Sequence, residues 1–132
     1  YIGLGSNLEN PVKQVQKALL ALKKLPKTNF VNASKLYCNK PLGPQNQPDF
    51  VNVVAKLETQ LSPEELLSEL LLIEQQQGRQ RTGERWGPRT LDLDIILYGD
   101  LVLHTPTLII PHPGLADRHF WRSPLKELGY LL

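Results

Sequence analysis

Leu91-Asp92-Leu93-Asp94-Ile95-Ile96-Leu97 is the stretch on which the fold turns. Side chains alternate along a strand, so Leu91, Leu93, Ile95 and Leu97 point together into a core while Asp92 and Asp94 share the opposite face. Ile96 lies on that second face and suggests a partly closed site. The strand is expected to run to Tyr98, turn at Gly99-Asp100 and pair with Leu101–His104, with one more strand within Thr107–Ile110.

Working outward, Tyr1–Gly5 reads as the first strand. Pro11 opens a helix, because its missing N–H is an orphan there in any case. A second strand is expected from about Asn29 to Cys38 and a third from Asp49 to Thr59, with a proline-rich loop, Asn39–Pro48, between them. Ser62-Pro63-Glu64-Glu65 has the form of a capping box, and its helix should stop at Gly78. Ser123-Pro124 opens a short last helix to Leu128. The order β-α-β-β-α-β reads as an α+β domain of split β-α-β type. No internal repeat, linker or low-complexity segment interrupts it.

The 132 residues suit one domain, expected to span residues 1–132. A chain of this size buries roughly two-thirds of its unfolded surface and needs no disulfide to fold. Hydrophobic residues make up 41% and charged residues 21%, an ordinary globular composition. The net charge of +2 argues against a nucleic-acid partner. Cys38, the only cysteine, is expected to be a buried apolar residue in a reducing compartment. No apolar run approaches the ~20 residues of a membrane span and no secretory signal is visible, so a cytoplasmic location and no membrane partner are expected. The chain opens within its first strand and has no methionine, so terminal residues are expected to be missing.

Two carboxylates side by side repel unless a cation or a shared proton relieves them. Mg²⁺ commonly takes one or two carboxylates plus substrate phosphates. A bare Asp-x-Asp is often only a solvated strand end, but the preceding loop carries Arg79, Arg81, Arg85 and Arg89 with Trp86, Gly87 and Pro88. Arginine binds phosphate in bidentate fashion, and tryptophan offers a stacking face. Arginines delivered beside a carboxylate pair point to a polyphosphate held between them. No Gly-x-x-x-x-Gly-Lys-Ser/Thr is present, which excludes a P-loop. Gly3-Leu4-Gly5-Ser6-Asn7 reads as a tight structural turn. His112, set between Pro111 and Pro113, is either a phosphate donor or a turn histidine, and His104 reads as structural. Phe50 and Asn52 share a strand face, one offering a stacking surface and the other an amide that donates and accepts.

Taken together, several segments resemble the 6-hydroxymethyl-7,8-dihydropterin pyrophosphokinases of folate biosynthesis. They are Gly5-Ser6-Asn7-Leu8, Pro41-Leu42-Gly43-Pro44, Gln47 to Asn52, Ile73-Glu74, the run from Gly78-Arg79 through Arg85 to Ile95, Pro111-His112-Pro113 and Arg118. The resemblance covers nearly the whole chain and implies a ferredoxin-like domain with an antiparallel sheet and helices packed on it. It implies transfer of the β,γ-diphosphate of ATP to the pterin hydroxymethyl group, leaving AMP. By resemblance Asp92 and Asp94 hold two Mg²⁺ ions on the triphosphate, and Arg79 and Arg89 assist transfer. Glu74, Arg81, Trp86, Ile95, His112 and Arg118 would line the nucleotide side. Leu42, Phe50, Asn52 and Phe120, with Trp86, would line the pterin side. A monomer is expected. The sequence departs from the family pattern at Asn39-Lys40, at Thr107-Leu108-Ile109 and at Trp121-Arg122-Ser123.

Two rivals remain open at this level. One is a nucleotidyl- or phosphoryl-transfer enzyme with a different acceptor, sharing the aspartate pair but not the Phe50/Asn52 pocket. The other is an RNA-binding module that clamps a backbone with Arg79–Arg89.

Overall fold

The computed structural model describes residues 1–41, 46–78 and 90–130. Four main strands form one antiparallel sheet in the order β2 (Thr28–Ala33), β4 (Phe50–Thr59), β1 (Ile2–Ser6), β5 (Asp92–Ile95), and a short β3 (Tyr37–Asn39) also pairs with β4. Helices α1 (Pro11–Leu22) and α2 (Pro63–Gln76) make the two crossovers. This is the expected ferredoxin-like split β-α-β arrangement, with β1 and β4 paired at the centre and β2 and β5 outside them.

One face of the sheet carries the main core. Ile2, Leu4, Val53, Ala55, Leu93 and Ile95 pack against Val15, Ala18 and Leu22 of α1 and Leu66, Leu70 and Ile73 of α2. The register explains the grouping: Leu4 stands opposite both Val53 and Leu93, so their side chains leave the sheet on the same side. Truncating one such leucine to alanine typically costs roughly 2–5 kcal/mol. Pro11 sits in the first turn of α1, and α2 begins with the full capping box, the Ser62 hydroxyl accepting from Glu65 N–H and the Glu65 carboxylate from Ser62 N–H. Each pair satisfies donors that the helix start leaves orphaned.

A second, smaller cluster lies on the other face: Val54, Ile96, Leu97, Trp121 and Leu125. The turn His119–Trp121 and helix α3 (Arg122–Glu127) supply its outer half. From α3, Glu127 accepts from the Tyr37 hydroxyl at 2.8 Å and from Lys35 N–H at 2.9 Å, which ties the helix to the sheet edge.

Several expectations need correction. The single strand Asn29–Cys38 is two strands, because the chain breaks at Ser34, where N–H donates to the Val54 carbonyl at 2.8 Å and the hydroxyl accepts from Val54 N–H at 3.0 Å. Cys38 is exposed rather than buried. The last core strand ends at Ile95 instead of Tyr98, so alternation lapses and Leu97 joins the second cluster instead of the first. Leu101–His104 does not pair back on that strand. Its last two residues, β6 (Leu103–His104), pair with β7 (Ile109–Ile110). The Thr105 hydroxyl closes that hairpin by accepting from Leu108 N–H at 3.0 Å. Among the described residues, no helix is long and apolar enough to cross a membrane.

Candidate active site

The polar site occupies the face of the sheet opposite the main core. Asp92 lies opposite Gly5 on β1, Gly5 lies opposite Asn52 on β4, and Asn52 lies opposite Tyr37 on β3. The next row is Asp94, Gly3 and Val54. Residues opposite one another share a face, so the carboxylates of β5 and the amide of β4 look out on the same side, two strand spacings or about 9.5 Å apart. The strand between them carries no side chain there. Gly3 and Gly5 thus lie in the first strand, as the strand reading of Tyr1–Gly5 expects, and form the floor of a trough instead of a tight turn. A Cβ on Gly5 would stand 2.8 Å from Asn52 Oδ1, and one on Gly3 would stand 2.8 Å from Trp121 Nε1.

At one end of the trough, Asn52 is only 5% exposed, and its Nδ2 donates to Asn39 Oδ1 at 3.2 Å. Phe50 stands opposite Asn39 on the same face. At the other end, Asp94 faces two potential cations. His112 Nε2 is 3.5 Å from Asp94 Oδ1, and Arg118 Nη1 is 3.4 Å from Oδ2. The far side of the imidazole is fixed: Nδ1 accepts from Gly114 N–H at 2.9 Å, which places the ring proton on Nε2 toward Asp94. The His112 backbone N–H donates to the Ile96 carbonyl at 2.9 Å, so the loop rides on the continuation of β5. The contacts to Asp94 are longer than charge-assisted hydrogen bonds of good geometry, which leaves carboxylate oxygens ready for another ligand.

Two neighbouring residues at the end of β1 act as a staple. The Ser6 hydroxyl donates to the Thr90 carbonyl. The Asn7 amide, 1% exposed, donates to Gln47 Oε1 and to the Pro48 carbonyl, both at 2.9 Å. They tie β1 to the chain leading into Asp92 and to the chain leading into Phe50, so both ends of the trough keep their spacing.

A family model described as 7,8-dihydro-6-hydroxymethylpterin-pyrophosphokinase matches residues 1–130. The chain belongs to this pyrophosphokinase family. A 2-amino-4-hydroxy-6-hydroxymethyldihydropteridine pyrophosphokinase of Haemophilus influenzae is 54% identical over 129 residues, covering 98% of this chain and 80% of its own. Its namesake in Pseudomonas aeruginosa is 52% identical over 129 residues, again 98% of this chain and 79% of its own. The "Folic acid synthesis protein fol1" of Pneumocystis carinii is 41% identical over 129 residues, 98% of this chain but 17% of its own length.

For this pyrophosphokinase, the structure brings Asp92, Asp94, His112 and Arg118 to one end of the trough and Phe50 and Asn52 to the other. Leu42, Arg79, Arg81, Trp86 and Arg89 lie outside the described residues. Two residues assigned by resemblance to the nucleotide side sit elsewhere than in the open trough. Glu74 is 3% exposed and accepts from Leu93 N–H at 2.7 Å, beneath the strand that carries the aspartates. The Ile95 side chain is 3% exposed in the main core. Ile95 does border a cleft of about 260 Å³ that runs from Asp94 past Thr105 and Leu108 to His112. Phe120 is half-buried against Trp121, with ring centroids 5.8 Å apart. Sequence reasoning missed Gly3 and Trp121 as parts of the site and Asn7 as its staple. The available signal for Asn7 was a polar residue directly after a strand and three positions ahead of the N-cap of α1, too early to cap it.

Proposed function

We propose that the protein transfers the pyrophosphoryl group of MgATP to the hydroxymethyl group of 6-hydroxymethyl-7,8-dihydropterin, as a step of folate biosynthesis. The pterin hydroxyl oxygen bonds to the β-phosphorus, the bond from the β-phosphorus to the bridging oxygen breaks, AMP leaves with that oxygen, and the hydroxyl proton passes to solvent. The observation that carries this reading is the row Asp92–Gly5–Asn52: a carboxylate end and an amide end separated by a bare strand, in a chain of this family.

Asn52 suits the edge of a pterin, which presents donors and acceptors together, and Phe50 offers the ring a stacking face. Leu42 and Phe120 complete that wall. The trough over Gly5 then holds the hydroxymethyl group between the two ends. On the other side Asp92 and Asp94 present hard carboxylate oxygens on one face of a half-exposed strand end, a donor set that fits Mg²⁺. Bound there, magnesium, two ions in the family pattern, neutralises polyphosphate charge and charge forming on the leaving phosphate. Arg79, Arg81 and Arg89 contact the polyphosphate, Trp86 lies between the two substrates, and His112 and Arg118 donate on the nucleotide side. The cleft beside Ile95 takes the adenosine. Glu74 acts from below by fixing the pitch of β5. In this reading residues 1–132 act as one pyrophosphokinase domain, as a monomer in the cytoplasm.

Incubation with MgATP and 6-hydroxymethyl-7,8-dihydropterin, followed by chromatography of the nucleotides, tests the proposal. AMP formed in step with pterin diphosphate is the expected result. ADP would mean transfer of a single phosphoryl group and would reject it.

A further inference from the structure

We propose that Trp121 is a positioning residue for the nucleotide end of the site, and that Gly3 is the seat that admits it. This rests on the reading of Asp94, His112 and Arg118 as the nucleotide anchor. Trp121 is 2% exposed and fills the space above β1 between Val54, Ile96 and Leu125. It touches both partners of Asp94. The His112 ring meets the indole edge-on, with centroids 4.9 Å apart and planes at 85°. The Arg118 guanidinium carbon stands 4.9 Å from the indole centroid. An imidazole that presents its edge to an aromatic face and a guanidinium over a ring are both favoured contacts. Through them one indole sets the height of two donors over one carboxylate.

The indole sits this deep only because β1 has no side chain beneath it. A Cβ on Gly3 would meet Trp121 Nε1 at 2.8 Å, Trp121 Cε2 at 3.1 Å and Ile96 Cδ1 at 3.2 Å. The indole contact is the shorter, 2.8 Å against 3.2 Å, so the larger displacement falls on the indole. Gly3 also stands opposite Asp94 in the register. The Gly3–Trp121 contact thus lies directly beside the anchor, while Asn52 and Phe50 stand one and two rows away across the sheet. A change in this contact should move the nucleotide end, where the indole touches both His112 and Arg118, more than the pterin end, which meets the indole through Phe120.

The test compares steady-state kinetics for both substrates, with Tm recorded alongside, in Trp121→Phe, Trp121→Leu, Gly3→Ala, the Gly3→Ala/Trp121→Leu double variant and, as a control on the anchor, Asp94→Ala binding to magnesium and α,β-methylene-ATP. Trp121→Leu should raise the KM for MgATP about tenfold and the pterin KM, through the Phe120 contact, by no more than about twofold, whereas Trp121→Phe, which keeps a ring, should stay within about twofold for both. Gly3→Ala should raise the MgATP KM in the parent and add little in the Trp121→Leu background, because the clash is then gone. Equal shifts in both KM values, or a Gly3→Ala cost that is the same in both backgrounds, would overturn the proposal while leaving the anchor standing. If Trp121→Leu does not fold, Gly3→Ala decides alone: a selective rise in MgATP KM supports the proposal and no selective rise rejects it. Unchanged nucleotide affinity in Asp94→Ala would instead remove the anchor and the proposal with it.

Discussion

The Glu74 carboxylate accepts a hydrogen bond from the Leu93 backbone N–H at 2.7 Å, between the two aspartates that face the site. Among the described residues β5 is the edge strand next to β1, and no described strand pairs with its outward N–H groups. Glu74, from the last turns of α2, supplies an acceptor from a buried position. Replacing it with alanine leaves a buried N–H unsatisfied and should cost about 1–3 kcal/mol in urea unfolding. Glu74→Gln keeps an acceptor and should cost less. Equal losses in the two variants would mean that the charge, rather than the acceptor, is what the site needs.

Asp94 lies at the half-exposed end of the same strand, and its neighbours His112 and Arg118 approach it at 3.4–3.5 Å. Asp94→Ala should therefore reduce turnover by about a thousandfold or more, while far-UV circular dichroism stays native. Chelation of magnesium should abolish turnover in the parent and adding the metal back should restore it. Retained activity in Asp94→Ala at saturating magnesium would remove the metal-ligand role.

The elements readable in the sequence were those whose signal is local. The alternation of Leu91 to Ile95 gave β5 and its faces, and the Ser62–Glu65 pair gave the start of α2. What escaped depends on partners distant in the chain. Nothing near Ser34 announces that its hydroxyl will take the Val54 N–H and split a strand in two. The hairpin of β6 and β7 closes through Thr105 and Leu108, a side-chain turn without the Gly or Asn that usually marks one. Gly3 and Gly5 looked like turn residues, because the need for a bare strand comes from Trp121 and Asn52 on the other side of the space. The candidate site was legible as residue types in the right order. Its separation into two ends across a glycine floor was not.

That floor makes a selective prediction at Gly5. A Cβ there would lie 2.8 Å from Asn52 Oδ1, while its Phe50 contact, at 3.9 Å, is ordinary. Gly5→Ala should displace the Asn52 amide and weaken pterin binding about tenfold, as Asn52→Ala should, with nucleotide binding little changed. Isothermal titration with each substrate separates the two. Loss of both affinities together would show a collapse of the sheet instead.

Buried Asn7 makes a further structural prediction. Its amide donates to Gln47 and to the Pro48 carbonyl, so it holds the chain that leads into Phe50. Asn7→Asp removes those donors and places a carboxylate against a carbonyl oxygen. It should lower stability by about 1–3 kcal/mol and raise pterin KM more than Asn7→Ala does. Chemical denaturation paired with kinetics checks both effects.

The capping box predicts a pH dependence. The Ser62 backbone N–H, followed by its hydroxyl, holds the Glu65 carboxyl below its ordinary value of 4.5. A group whose pKa is depressed on folding adds stability above its unfolded pKa and loses it as the pH falls through the folded one. Glu65→Gln should therefore be less stable than the parent at neutral pH, and the two urea midpoints should converge as the pH drops below about 4.5, where the parent carboxyl also becomes neutral. Ser62→Ala removes the hydroxyl half of the box but leaves the larger backbone contribution, so it should narrow the pH-dependent difference without abolishing it. Parallel midpoints for parent and Glu65→Gln across the acid range would mean that Glu65 contributes through its shape as an acceptor and not through its charge.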